Sequence, residues 1–170
     1  GGLKWLLGET GIAFLYVRRD LIRELSPTIA GWFGNERQWE FDPKSFEYRR
    51  DARRFELGTT ANAAVYAASA GIDIILEVSV NGIRARTTEL GNDLVDRARD
   101  AGFEVKSPEE PEKRAGIVMI RHPDPARTVH ELAREDIIVD YRHDRVRASP
   151  FFYNTPEDNA RIIDAMKRFR

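Results

Sequence analysis

Leu3-Lys4-Trp5-Leu6-Leu7-Gly8, followed closely by Gly11-Ile12-Ala13-Phe14-Leu15-Tyr16-Val17, is the stretch on which the reading of this chain turns. A lysine set among tryptophan and leucines lies against apolar surface, which desolvates an ammonium and favours the neutral amine that condenses with carbonyl compounds. The competing role is a lysine whose stem runs past a buried apolar stretch with its head in water. The run 12–17 is apolar throughout and is closed by Gly11 and by Arg18-Arg19-Asp20, the pattern of a strand buried on both faces. The chain enters this apolar stretch with no polar lead-in and no helix cap, so it reads as starting in the middle of a structure.

Outward from this stretch the chain changes character twice. A short helix is expected over 20–25, stopped by Pro27. Residues 31–55 carry Trp32, Phe33, Trp39, Phe41, Phe46, Tyr48 and Phe55 without a period, which predicts an ordered loop that packs on a surface. Small residues over 60–70 suit a helix pressed against other backbone. A second helix is expected over 81–101, where Ile83, Thr87, Leu90, Leu94 and Ala98 recur at helical spacing and Gly102 stops it.

Beyond residue 102 the units become short. Strands are expected at 103–105 and 116–121, and a strand pair at 137–141 and 145–148 joined by Arg142-His143-Asp144. Asp124-Pro125 opens a helix to about residue 134, and Thr155-Pro156-Glu157-Asp158 opens the last one, with Ile162, Ile163, Met166 and Phe169 as its buried stripe. Three parts follow: residues 1–80, a connecting helix at 81–101, and a small α+β domain at 102–170.

Composition narrows the chemistry. Lys plus Arg (27) and Asp plus Glu (28) nearly cancel, so no overall field draws nucleic acid or an anionic membrane, and neither is expected as a partner. No cysteine is present, which removes disulfides, thiolate metal sites and a cysteine nucleophile from these residues. His122, His130 and His143 lack metal-ligand spacing and are read as surface residues; no metal is expected. A cytoplasmic location is the default reading.

Four motifs then recur in order: the Lys4 stretch, Gly31-Trp32-Phe33-Gly34, Arg54-Phe55-Glu56-Leu57-Gly58-Thr59-Thr60, and Arg145-Val146-Arg147-Ala148-Ser149-Pro150 with Tyr153-Asn154-Thr155. Together they resemble the C-terminal half of the class V aminotransferase family of fold-type I pyridoxal-phosphate enzymes, most of all its kynureninase-like members. The resemblance implies an α/β fold, the C-terminal part of the PLP-dependent transferase fold: residues 1–80 as an incomplete segment of the large domain with its dimer-interface loop, followed by the small C-terminal domain. It implies pyridoxal 5'-phosphate as cofactor, an amino acid as substrate, and a homodimer with shared active sites. The 170 residues by themselves are expected to be inactive, because the family places further cofactor contacts before the lysine.

The roles implied by the resemblance are specific. Lys4 forms the Schiff base with the cofactor and then exchanges protons at the substrate's α-carbon. Trp32 reaches the cofactor phosphate or the substrate across the dimer interface, or serves simply as an aromatic anchor. Thr59 binds the phosphate from the neighbouring subunit, or caps the helix that follows. Arg147 grips the substrate α-carboxylate with its planar fork, or pairs with an acidic neighbour; Arg145 shares its strand face and competes for the role.

Cysteine-dependent persulfide chemistry is disfavoured by the lack of cysteine. Hydrolytic Cβ–Cγ cleavage of a kynurenine-type amino acid is the expected reaction. The stretch around Thr59 reads Gly-Thr-Thr where kynureninases tend toward Ser-Asn-Pro, which keeps a class V aminotransferase, lyase or epimerase as the alternative. A non-enzymatic α+β interaction module that binds protein through residues 31–55 is the reading of a different class.

Overall fold

A computed structural model of the chain describes residues 1–169, and its contacts divide them into two units, Gly1–Glu77 and Val78–Arg170, the latter described up to Phe169. The first unit has one long element, helix α1 (Asn62–Val78), preceded by irregular chain and by 3-10 turns at Trp32–Gly34, Gln38–Glu40 and Ala52–Phe55. Ala64, Ala68, Gly71 and Ile75 form the buried face of α1. These side chains are small because backbone lies directly on them: a Cβ on Gly71 would sit 2.4 Å from the Leu6 carbonyl oxygen. The helix runs eight residues past the small-residue stretch, carried by Ile72, Ile74, Ile75 and Leu76 despite their branching.

Two expectations fail in this unit. Residues 12–17 form no strand; Phe14, Leu15 and Tyr16 are 60%, 66% and 86% exposed. A strand apolar on both faces needs ladder partners on its edges and cover above and below, and the described residues offer neither. The helix expected over 20–25 is a succession of turns, Glu24 N–H to the Leu21 carbonyl at 3.1 Å and Leu25 N–H to the same carbonyl at 2.9 Å, because six residues before a proline do not repay helix nucleation. The aromatic loop is ordered: Asn35 and Tyr48 form a β-bridge, and Trp32 packs on Phe33, Trp39 and Phe41 at 5.2 to 5.8 Å.

The second unit is built on one core. Helix α2 (Val80–Asp100) is capped by Ser79, whose side chain accepts from Gly82 N–H, and gives Leu90, Leu94, Val95 and Ala98 to the interior. The helix read from sequence as a connector is thus part of this unit's core. Strands β1 (Val118–Arg121), β2 (Asp140–Arg142) and β3 (Arg145–Ala148) form an antiparallel sheet in the order β1-β3-β2. Helices α3 (Pro125–Arg134) and α4 (Pro156–Arg168) complete it. Val118, Ile120, Val146 and Ala148 face a core shared with Leu94, Leu132, Ile162 and Met166.

The caps read from sequence for the last two helices are present. Asp124 accepts from Arg127 N–H ahead of Pro125, and Thr155 and Asp158 form a reciprocal capping box. The stretch 103–105 contributes only the bridge Val105 to Ile120, and β2 begins at Asp140 rather than 137. His122 is the clearest correction. It is buried, its Nδ1 3.0 Å from Thr128 Oγ1 and its ring 6.0 Å from Phe103, because the end of β1 delivers it beneath the first turn of α3. His130 and His143 are exposed. Among the described residues no single helix is long and apolar enough to cross a membrane, and no group of three or more His, Asp or Glu converges as a metal site.

Candidate active site residues

Lys4 stands at the head of a tight turn. Leu7 N–H donates to the Lys4 carbonyl at 2.9 Å, Gly8 N–H to the Gly2 carbonyl at 2.9 Å, and Leu7 adopts a left-handed backbone with φ of 54°. A leucine in that region is strained, and the strain is held in place from below by α1. The carbonyls of Leu6 and Leu7 lie where a Cβ of residue 71 would be, and a Cβ on Gly8 would meet Ala68 at 3.2 Å. The turn is therefore clamped, while the lysine itself points out: Lys4 is exposed, and among the described residues its amine has no hydrogen bond or ion pair. The flanking Leu3 and Trp5 are exposed as well, so the apolar shielding expected around the amine is not supplied by these residues.

Trp32 and Thr59 sit on one continuous piece of chain packing. A Cβ on Gly31 would fall 2.1 Å from the Leu57 Cα, and one on Gly34 would fall 2.7 Å from the Arg54 carbonyl oxygen, so both glycines are required by close backbone approach. Arg54 is buried beneath them, donating to the Ile22 carbonyl at 2.6 Å with its guanidinium 4.9 Å from the Tyr48 ring centre. Trp32 Nε1 donates to the Gln38 carbonyl at 2.7 Å, which commits the indole N–H internally and leaves the ring, 42% exposed, as its contact surface. The ring also lines an open cavity of about 330 Å3 with Asn35, Asp42, Pro43 and Phe46. Thr59 is exposed and lies outside α1, whose first-turn bond is taken by the Ala61 carbonyl from Val65 N–H at 3.1 Å; it does not cap that helix.

Arg147 belongs to the second unit. Along β3 the buried residues are Val146 and Ala148, so Arg145 and Arg147 share the opposite face. Arg147 is paired in register with Met119 of β1 and Asp140 of β2, and its Nη2 lies 3.1 Å from Asp140 Oδ2. Asp140 also takes Arg142 Nη1 on Oδ1 at 2.7 Å. Its carboxyl is held below the usual carboxylate range, first by the Tyr141 backbone N–H, against the cost of burial, and then by Arg142 and Arg147. Arg145 pairs with Asp144 at 3.0 Å, and the Nε of both Arg145 and Arg147 is enclosed without an acceptor. The sequence did not announce Asp140, which reaches Arg147 only through strand register.

Lys4, Trp32 and Thr59 thus fall in the first unit and Arg147 in the second. As a test of fit to pyridoxal phosphate, the first unit presents a free primary amine on a clamped turn, an exposed aromatic face and an exposed hydroxyl. The second presents a guanidinium with donors to spare for a carboxylate. These are the donor types such a cofactor and an amino-acid substrate require.

The sequence model described as aminotransferase class-V matches residues 1–159. An aminotransferase of Bacillus subtilis (strain 168), YcbU, described as uncharacterized, is 34% identical over 96% of this chain and 43% of its own length. A kynureninase of Bacillus thuringiensis subsp. konkukian (strain 97-27) is 27% identical over 95% of the chain and 39% of its own. Among solved structures, the cystine C-S lyase C-DES superposes with a TM-score of 0.85 at 20% identity, covering 98% of this chain and 44% of that one. The cysteine desulfurase CsdA of Escherichia coli gives 0.79 at 21%, covering 96% and 43%. The chain spans about two fifths of the length of these relatives and carries that part of the PLP-dependent transferase fold. With a family match over nearly its whole length, the chain belongs to the aminotransferase class-V family.

Proposed function

We propose that this chain supplies the lysine and the carboxylate-binding arginine of a pyridoxal-phosphate-dependent enzyme that acts on an amino acid, with kynureninase-like cleavage of a Cβ–Cγ bond as its reaction. The observation that carries this reading is the Lys4 turn: a free, exposed amine on a strained backbone held by the small-residue face of α1. The cofactor, when bound, supplies the electron-withdrawing ring that makes bonds at the substrate's α-carbon labile. Lys4 holds the cofactor and afterwards exchanges protons at that α-carbon as base and acid. Arg147 receives the α-carboxylate and so fixes which bond at the α-carbon is presented for cleavage. Trp32 offers its ring face, and Thr59 its hydroxyl to the phosphate of the neighbouring subunit in a cytoplasmic homodimer.

Transamination is the second reading, favoured by the 34% identical relative that is named an aminotransferase. A persulfide route is disfavoured, because these residues include no cysteine. The test is the visible absorbance of lysine-bound cofactor in the whole protein with pyridoxal phosphate, expected to vanish in Lys4→Ala and to survive in Arg147→Ala. Absorbance unchanged by Lys4→Ala removes the reading, and its absence in every form favours an interaction module built on the exposed Trp39 and Phe41. Release of alanine without a keto acid marks cleavage, and dependence on a keto acid marks transfer.

A further inference from the structure

Strand register assembles a feature that no single motif contains. Arg145 on the central strand β3 is the register partner of Arg121 on β1 and of Arg142 on β2, and Arg147 lies one step along on the same face of the sheet. Like charges set side by side across strands destabilise a sheet unless anions intervene. Here the anions are too few. Asp144 is shared by Arg121 at 3.2 Å and Arg145 at 3.0 Å, and Asp140 is shared by Arg142 at 2.7 Å and Arg147 at 3.1 Å. The remaining carboxylate, Glu104, pairs with Arg121 at 2.9 Å and is itself shared with Lys106.

Each guanidinium therefore spends only part of its fork. The two central ones are the less exposed, at 27% for Arg145 and 26% for Arg147 against 57% and 55% for Arg121 and Arg142, and each keeps an enclosed Nε without an acceptor. A strand sets residues i and i+2 roughly 7 Å apart on one face, a span that one small dianion bridges between two flexible arms.

From this we infer that Arg145 and Arg147 form a two-carboxylate subsite, so that the substrate is an amino acid whose side chain carries, beyond the Cγ carbonyl that the proposed cleavage requires, a second acidic group received by Arg145. The inference rests on the assignment of Arg147 to the α-carboxylate and narrows the substrate class of that same site. Arg145 is then the specificity-determining residue, and Asp144, drawn off by Arg121, holds it without neutralising it.

The test titrates the 170-residue chain with glutarate and, separately, with acetate, following the Nε–H signals of Arg145 and Arg147 by NMR. Glutarate is expected to move both signals together and to bind at least about tenfold more tightly than acetate, the worth of one further charge-assisted fork. Arg145→Gln is expected to bring glutarate down to the level of acetate, and Arg145→Lys, which keeps charge but not the fork, to retain part of the advantage. Equal affinities, movement of Arg147 alone, or an undiminished advantage in Arg145→Gln overturns the inference. The same holds if carboxylates from the rest of a longer polypeptide fill the strip, because glutarate then moves neither signal in the whole protein.

Failure of the catalytic reading is separable. If glutarate binds as expected but no lysine-bound cofactor absorbance appears, the proposed function falls and the subsite stands. If the whole protein turns over amino acids, but acidic and neutral side chains share one kcat/KM and Arg145→Gln alters neither, the subsite falls and the function stands.

Discussion

Asp140 and Arg147 face each other in register across β2 and β3, joined by one ion pair at 3.1 Å, while the other oxygen of Asp140 is held by Arg142. Because the folded protein lowers the pKa of the Asp140 carboxyl, its contribution to stability is present above the ordinary carboxylate pKa and is lost as pH falls through the lowered folded value. Asp140→Asn is expected to have a lower urea midpoint than the parent at neutral pH, with the gap closing as pH falls below the ordinary carboxylate range. A gap that widens with acid reverses the sign of this assignment.

Gly71→Ala tests the clamp under Lys4. In an exposed helix interior the change gains about 1 kcal/mol of helix propensity. Here the new Cβ meets the Leu6 and Leu7 carbonyl oxygens at 2.4 and 2.7 Å, a backbone clash expected to cost about 1 to 3 kcal/mol and to displace the lysine turn. Circular dichroism is expected to show helix retained while lysine-bound cofactor absorbance in the whole protein drops.

Gly31→Ala makes the parallel case for the Trp32 loop. Its Cβ would lie 2.1 Å from the Leu57 Cα, so the loop must leave the 54–57 segment. Loss of the buried environment around Arg54, read as a shift in tryptophan fluorescence and a lower thermal midpoint, is the expected outcome.

Thr155→Ala removes the hydroxyl that accepts Asp158 N–H in the capping box of α4. A loss of about 1 kcal/mol is expected in urea unfolding. Leu132→Ala, in a fully buried position of the same core, is expected to cost about 2 to 5 kcal/mol, and a smaller loss for Leu132→Ala than for Thr155→Ala contradicts the core described here.

The second unit was the more legible in sequence, because its signals are local. The Asp124-Pro125 and Thr155-Pro156 helix starts, the Gly102 stop and the buried face of α2 each depend on neighbours within a turn or two, and all appear in the structure. The run 12–17 misled for the opposite reason: an apolar sequence states that a segment wants sheet partners and does not supply them. His122 misled because burial is decided by what packs over a residue, here Phe103 and Thr128 from elsewhere in the chain.

The sequence by itself determined the family, together with the starts of α2, α3 and α4 and the lack of a cysteine among these residues. Only the tertiary structure decided that Trp32 has spent its N–H on Gln38, that Asp140 answers Arg147, and that three arginines stand in one row. Motifs and caps are written in consecutive residues, whereas hydrogen-bond commitment and cross-strand charge depend on register between distant segments, which no local pattern encodes.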